Sequence, residues 1–205
     1  MKRFKNVALI PGMIVMLGLL SCSKDDGDTV SAGSDIVFDG KTYAMVDGLI
    51  SDYGSYEPLD GEGTATHYNF DFDIVDAALV TITDSDGDTY QGAGDATTIH
   101  VYVELFAPST TSFSAGTYEY VNDETATPAD IAGKFVFFSG EVELDSDGVE
   151  NGDLDGPEYE INGGTVTITG TNKDDFAITF NVTTSGGKTL TGSYSGEFDF
   201  QDDTD

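Results

Sequence analysis

From His67 to Ile74 the chain alternates: Tyr68, Phe70, Phe72 and Ile74 take one side, and His67, Asn69, Asp71 and Asp73 the other. The pattern returns at Ile99, Val101, Val103 and Leu105, set against His100, Tyr102, Glu104 and Phe106. A period of two belongs to an extended strand with one buried face, whereas a helix brings its apolar face round every three or four residues. Beyond residue 34 no convincing helical period occurs, although one helical turn fits near Pro128 to Ile131. The fold class expected is therefore all-β.

The remaining segments extend that reading. Asp39-Gly40 separates Ile36–Phe38 from Thr42–Val46, and Asp-Gly between apolar runs marks a tight hairpin. Residues 51–66, with Gly54, Pro58, Gly61 and Gly63, read as a long loop. Further strands are expected over Ala77–Ile82, Gly116–Val121, Phe135–Leu144 (with a bulge at Gly140), Thr165–Thr169, Phe176–Thr184 and Thr189–Phe200. In the last of these Leu190, Tyr194, Phe198 and Phe200 share a side, and Gly192 and Gly196 point to a bend or a close backbone approach. Nine or ten short strands at this spacing suggest a single antiparallel β-sandwich, with a closed, lipocalin-like barrel as the alternative. Phe70, Phe72, Val101, Val103, Ile178 and Phe180 form the cleanest buried stripes.

The start of the chain has a different character. Lys2, Arg3 and Lys5 precede an apolar run from Val7 to Leu20, interrupted at Pro11-Gly12. A membrane-spanning helix needs about 20 apolar residues, so this run is short for that role and fits a secretory signal. Leu19-Leu20-Ser21-Cys22 follows, and it holds the only cysteine. This stretch resembles the lipobox of bacterial lipoproteins, which implies cleavage after Ser21 and lipidation of Cys22. Ser23-Lys24-Asp25-Asp26 is similar to the export tag of Bacteroidota lipoproteins and implies the outer face of the outer membrane. Asp28-Thr29-Val30 resembles the short O-glycosylation site of the same bacteria. Two further segments, Gly94-Asp95 through Gly116-Thr117-Tyr118 and the ending from Gly163 to Gly196, are similar to small β lipoproteins of that group, a resemblance that implies fold and location without an activity. The expected division is a signal peptide over 1–21, a lipidated tether over 22–34, a β domain over 35–200 and an acidic tail over 201–205.

Charge narrows the partners. The formal net charge is −30, and beyond the signal the only basic residues are Lys24, Lys41, Lys134, Lys173 and Lys188. Nucleic acid needs a basic patch and is excluded as a partner, and an anionic bilayer surface repels such a chain. The membrane is reached through the lipid on Cys22, and several acyl chains give a stable anchor where one alone is marginal. A single cysteine forms no intramolecular disulfide, so the core alone must hold the fold.

Candidate chemistry is sparse. His67 and His100 are the only histidines. If their strands are neighbours they can meet and bind a metal with Asp71 or Glu104; the plainer reading is two surface histidines. Neither a nucleophile elbow nor a His-x-x-x-His pair occurs, and carboxylate pairs carry no information in a chain with 38 acids, so no enzymatic activity is expected. No cofactor is expected, apart from calcium in two acidic loops. Asp84, Asp86 and Asp88 alternate through one turn, and Asp145, Asp147, Asn151, Asp153 and Asp155 fill the other. Calcium takes six to eight oxygens, and Asp at alternate positions with Gly can supply them. The second loop begins like an EF-hand and then departs from it, with Asn162 where a glutamate belongs; Asp and Gly are also simply good turn formers. Tyr53, Tyr56 and Tyr90 are candidate stacking residues for an extracellular ligand. The function expected is a lipid-anchored cell-surface protein with a binding or structural role, the alternative being a glycan-binding accessory module, ahead of an adhesin-like subunit or a hydrolase.

Overall fold

The computed structural model describes residues 34–59, 63–83, 87, 89–145 and 154–204. The signal, Cys22 and all of the tether but Ser34 lie outside the described residues, as do Asp84, Asp86, Asp88, Asp147, Asn151 and Asp153.

The chain is all-β. Its strands are β1 (Asp35–Phe38), β2 (Lys41–Ala44), β3 (Asp47–Tyr56), β4 (His67–Val75), β5 (Val80–Thr83), β6 (Thr89–Gly92), β7 (Ile99–Ala107), β8 (Gly116–Tyr120), β9 (Val136–Leu144), β10 (Glu158–Thr169), β11 (Ala177–Thr184), β12 (Thr189–Tyr194) and β13 (Asp199–Asp202). One short helix, α1 (Pro128–Ile131), falls where a single turn was expected. The Asp130 carboxylate accepts from both the backbone N–H and the hydroxyl of Thr127, which closes the first turn of α1, and Pro128 occupies a first-turn position where its missing N–H is harmless.

Eleven strands form one curled sheet in the order β13-β3-β4-β7-β9-β8-β10-β11-β12-β1-β2, and β5 and β6 form a separate hairpin. This replaces both the sandwich and the closed barrel. The sheet is also mixed, because β13 runs parallel to β3 and β8 parallel to β9. The curl brings one face onto itself, so the main core draws on nearly every strand, including Ile36, Phe72, Val103, Val166, Phe180 and Leu190, while a second, smaller cluster gathers Phe106, Ile131 and Val136. All six stripe residues singled out above are buried. The curl stays open: among the described residues β13 and β2 are the two ends of the sheet and do not pair. Phe198, between β12 and β13, meets Phe72 of β4 and Tyr194 of β12 at ring centroids 5.6 and 5.0 Å apart, and so fills part of the gap with aromatic surface.

Several sequence expectations change for local reasons. The β1–β2 hairpin turns at Asp39 and Gly40, with φ of 50° and 80°, as the Asp-Gly signal requires. The long loop expected over 51–66 is instead half strand: β3 reaches Tyr56, and Gly54 (φ 75°) sits beside a register shift between Asp52 and Gly54. A glycine read as a breaker is here the residue that permits a bulge. The strand expected over Thr189–Phe200 breaks at Ser195-Gly196, and the chain crosses to begin β13. Gln201 and Asp202, expected to open an acidic tail, pair with Ser51 and Asp52. Gly192 bears out the close approach expected of it: φ is 121°, and a Cβ there would lie 2.3 Å from the Asp35 carbonyl oxygen.

Candidate functional site

Two parts of the molecule concentrate chemistry: the convex face of β4, β7 and β9, and a pair of clefts on either side of β13.

On the convex face the alternation of β4 places His67, Asn69, Asp71 and Asp73 away from the core. Such a face is usually solvated, yet His67, Asn69 and Asp71 are buried, and Asp71 is only 8% exposed. They are satisfied locally. Asp71 accepts from the Tyr102 hydroxyl at 2.9 Å and from the Asn69 amide at 3.3 Å. Burial and the neighbouring Glu104 push the Asp71 carboxyl up to about 7, against the pull of those hydrogen bonds. Burial likewise raises Glu104. The Tyr53 phenol is raised by its own burial and by Asp71, Asp203, Asp73 and Glu104, which places this tyrosine in the field of the acidic face.

His100 binds three strands together. Its Nε2 lies 2.8 Å from Asp73 Oδ1 and its Nδ1 lies 2.9 Å from Glu143 Oε2. With a carboxylate oxygen facing each ring nitrogen, both nitrogens donate when the ring is an imidazolium. Burial works against that charge, but the hydrogen bonds the ring donates to Asp73 and Glu143 outweigh it and raise the ring to about 9. Glu143 is lowered in return, chiefly by its bond to His100.

His67 behaves in the opposite way. Burial lowers its pKa, Nε2–H donates to the Lys134 carbonyl at 3.2 Å, and Nδ1 accepts from the Thr66 hydroxyl at 2.8 Å. The strands of the two histidines are indeed neighbours, but His67 pairs with Tyr56 at one end of β4 while His100 pairs with Val75 at the other. They do not meet. Neither is a surface histidine: His67 is 1% exposed and the His100 side chain 17%. Among the described residues no group of three or more His, Cys, Asp or Glu is arranged to hold a metal. Of the calcium candidates, Asp145 is half-buried at the end of β9, where its backbone N–H donates to the Thr98 carbonyl, and Asp155 is exposed.

The clefts lie at the open side of the sheet. The first, about 240 Å³, is lined by Tyr68, Phe70, Ser112, Asn172, Lys173 and Phe200 among others. Its floor is rigid aromatic: Phe113 stacks on Phe70 at 4.3 Å and on Tyr118 at 5.5 Å. Asp52 accepts from the Tyr68 hydroxyl at 3.2 Å, and burial raises the Asp52 carboxyl. Lys173 Nζ sits 4.7 Å from the centre of the Phe200 ring. The second cleft, about 430 Å³, lies between the β5–β6 hairpin and the β3–β13 edge and is lined by Thr81, Thr89, Tyr90, Gln91, Asp199 and Gln201 among others. Phe200 borders both clefts. Among the described residues β13 has a neighbouring strand on one side only, and Phe200 is 37% exposed.

Of the three candidate tyrosines, Tyr90 lines the second cleft and is 44% exposed. Tyr53 lies by the acidic face, and Tyr56 packs on Phe106 at 5.8 Å. Sequence reasoning missed Phe200 as a site residue, placing it beside Leu190, Tyr194 and Phe198 on one side of a continuous last strand. Ser195-Gly196 was the available signal that this strand ends early. No protein-family model, no curated protein and no solved structure matches the chain.

Proposed function

We propose that this chain is a lipid-anchored protein of the outer membrane, facing the cell exterior, whose β domain binds an extracellular glycan. The anchor rests on Leu19-Leu20-Ser21-Cys22 and the acidic tag behind it. The binding role rests on one observation: two clefts flank the free edge of β13 and share the half-exposed ring of Phe200. Aromatic rings among hydroxyl and amide side chains suit a hydroxylated ring ligand, which offers apolar C–H faces and polar rims together.

The competing roles have less support. Strand exchange between subunits favours a long unpaired edge, and both ends of this sheet, β2 and β13, are four-residue strands. Hydrolysis wants carboxylates converging on an open pocket. Here Asp71 and Glu104 converge on a largely buried face, and the two clefts are lined by Asp52 and Asp199 respectively. Among the described residues no helix is long and apolar enough to cross a membrane.

Two experiments test the reading. Mass spectrometry of the mature protein should find an acylated N-terminal Cys22, and Cys22→Ser should leave the membrane fraction; a Cys22→Ser protein that stays membrane-bound removes the anchor. The detergent-solubilised protein on a broad glycan array should retain at least one class of glycan, and an array with none retained removes the binding role.

A further inference from the structure

We propose that the two clefts are halves of one site for an uncharged oligosaccharide, which crosses the free edge of β13 with Phe200 at the junction. This deepens the glycan-binding role and depends on it.

Size comes first. Ligand pockets usually span about 300–1,000 Å³. The first cleft, at about 240 Å³, falls below that range and holds one ring-sized group, while the two together fall well within it. A ligand long enough to fill both must pass Phe200, the residue they have in common.

The Phe200 ring indicates the chemistry. An aromatic face attracts positive charge through its quadrupole, and in the free protein the Lys173 ammonium occupies that position. Lys173 is only loosely held: its side chain is 47% exposed, and its ion-pair partner Asp174 is 79% exposed. The C–H face of a pyranose carries the same weak positive polarity and can replace the ammonium on the ring. Lys173 then remains at hand as a donor to a sugar oxygen, beside the Asn172 amide. On the other side of β13, Tyr90 offers a second aromatic face among Thr81, Thr89 and Gln91.

Charge fixes the class. Asp52 and Asp199 line the clefts, Asp202 ends β13 and Asp203 follows it, and the chain as a whole carries −30. Lys173 is the one cation among the lining residues, and no arginine lines either cleft to grip a carboxylate or sulfate bidentately. Within a Debye length of about 8 Å the field repels uronates and sulfated sugars.

Calorimetric titration of the solubilised protein with neutral mono- to tetrasaccharides of the gluco, manno, galacto and xylo series, beside a galacturonate and a chitosan series, tests this. At least one neutral series should bind, with affinity rising from mono- to trisaccharide. Phe200→Ala should weaken the bound trisaccharide about tenfold or more, the scale of a binding hot spot. Tyr90→Ala, at an exposed position that does not threaten folding, should weaken the trisaccharide and leave the monosaccharide unchanged. Tyr56→Ala should change neither. Tighter binding of a charged series, no gain with length, or indifference to both Phe200→Ala and Tyr90→Ala overturns the proposal. So does binding of an unstructured peptide library in place of saccharides, if Tyr90→Ala abolishes it, since that assigns the groove to strand addition on β13. If the array retains glycans but no neutral series binds here, this proposal falls and the glycan-binding role stands; if the array retains none, both fall.

Discussion

The two faces of β4 lie one residue apart in sequence and obey different physics. The concave face, with Phe70, Phe72 and Ile74, is buried by apolar contact with the rest of the curl. On the convex face Asn69 and Asp71 are withdrawn from water almost as far and Asp73 is half-buried, but all three are held by hydrogen bonds and one imidazolium. Apolar packing is additive and tolerant, and burial on the concave side follows directly from alternation. A buried polar face is conditional: each group depends on its partner's protonation state, because an unpaired charge there is expensive. One side of the sheet should therefore respond to volume and the other to pH.

The largest effect belongs to the concave side. Phe180 is 2% exposed in the main cluster. Phe180→Ala should cost about 3–5 kcal/mol, through lost transfer energy and a residual cavity. Denaturant unfolding should show this loss unchanged between pH 5 and pH 9. A loss that varies strongly with pH would mean that the two faces are not independent.

On the convex side His100→Ala should cost less, about 2–3 kcal/mol, by leaving Asp73 and Glu143 facing each other without their shared cation. Both carboxylates keep some contact with solvent, which holds the figure below that of a fully buried pair. This loss should depend on pH. The folded pKa of about 9 stands above the unfolded value of about 6.5, so the stabilisation is complete below pH 6.5 and disappears as pH rises through 9. Wild type and His100→Ala should therefore converge in alkaline buffer. A constant gap from pH 6 to pH 10 would make His100 a packing residue only.

This asymmetry also explains how much of the molecule was legible in the sequence. Local signals carried over well: the Asp39-Gly40 turn, the Pro128 helical turn, and the stripes of β4, β7 and β11 each depend on a few neighbouring residues. Arrangement in space carried over poorly. That β8 and β13 pair in parallel, and that eleven strands curl into one sheet in place of two, depends on contacts between residues far apart in the chain. The polar side of β4 looked like solvent because a strand pattern records polarity and cannot record whether polar groups find one another. Tyr90 is legible in the sequence as a candidate stacking residue, but its cleft needs the β13 edge, and Phe200 is not, because nothing but Ser195-Gly196 marks the end of the strand before it.

The smallest expected effect is a gain. Asp71 is nearly inaccessible, and burial together with Glu104 raises its carboxyl to about 7 from an ordinary value near 3.9. A folded pKa above the unfolded one means that the native state binds the proton more tightly. Stability from this group is then greatest in acid and declines as pH rises from about 4 to about 7. Asn copies the shape of the protonated acid and keeps an acceptor for the Tyr102 hydroxyl. Asp71→Asn should therefore be close to neutral at pH 4 and stabilise by about 1–2 kcal/mol at pH 8, where wild type must hold a carboxylate beside Glu104. Thermal melts of both proteins at the two pH values distinguish the cases. If Asp71→Asn is destabilising at pH 8, the carboxylate is held there by its donors more firmly than burial opposes it, and the convex face is a stable anionic network in place of a proton-dependent one.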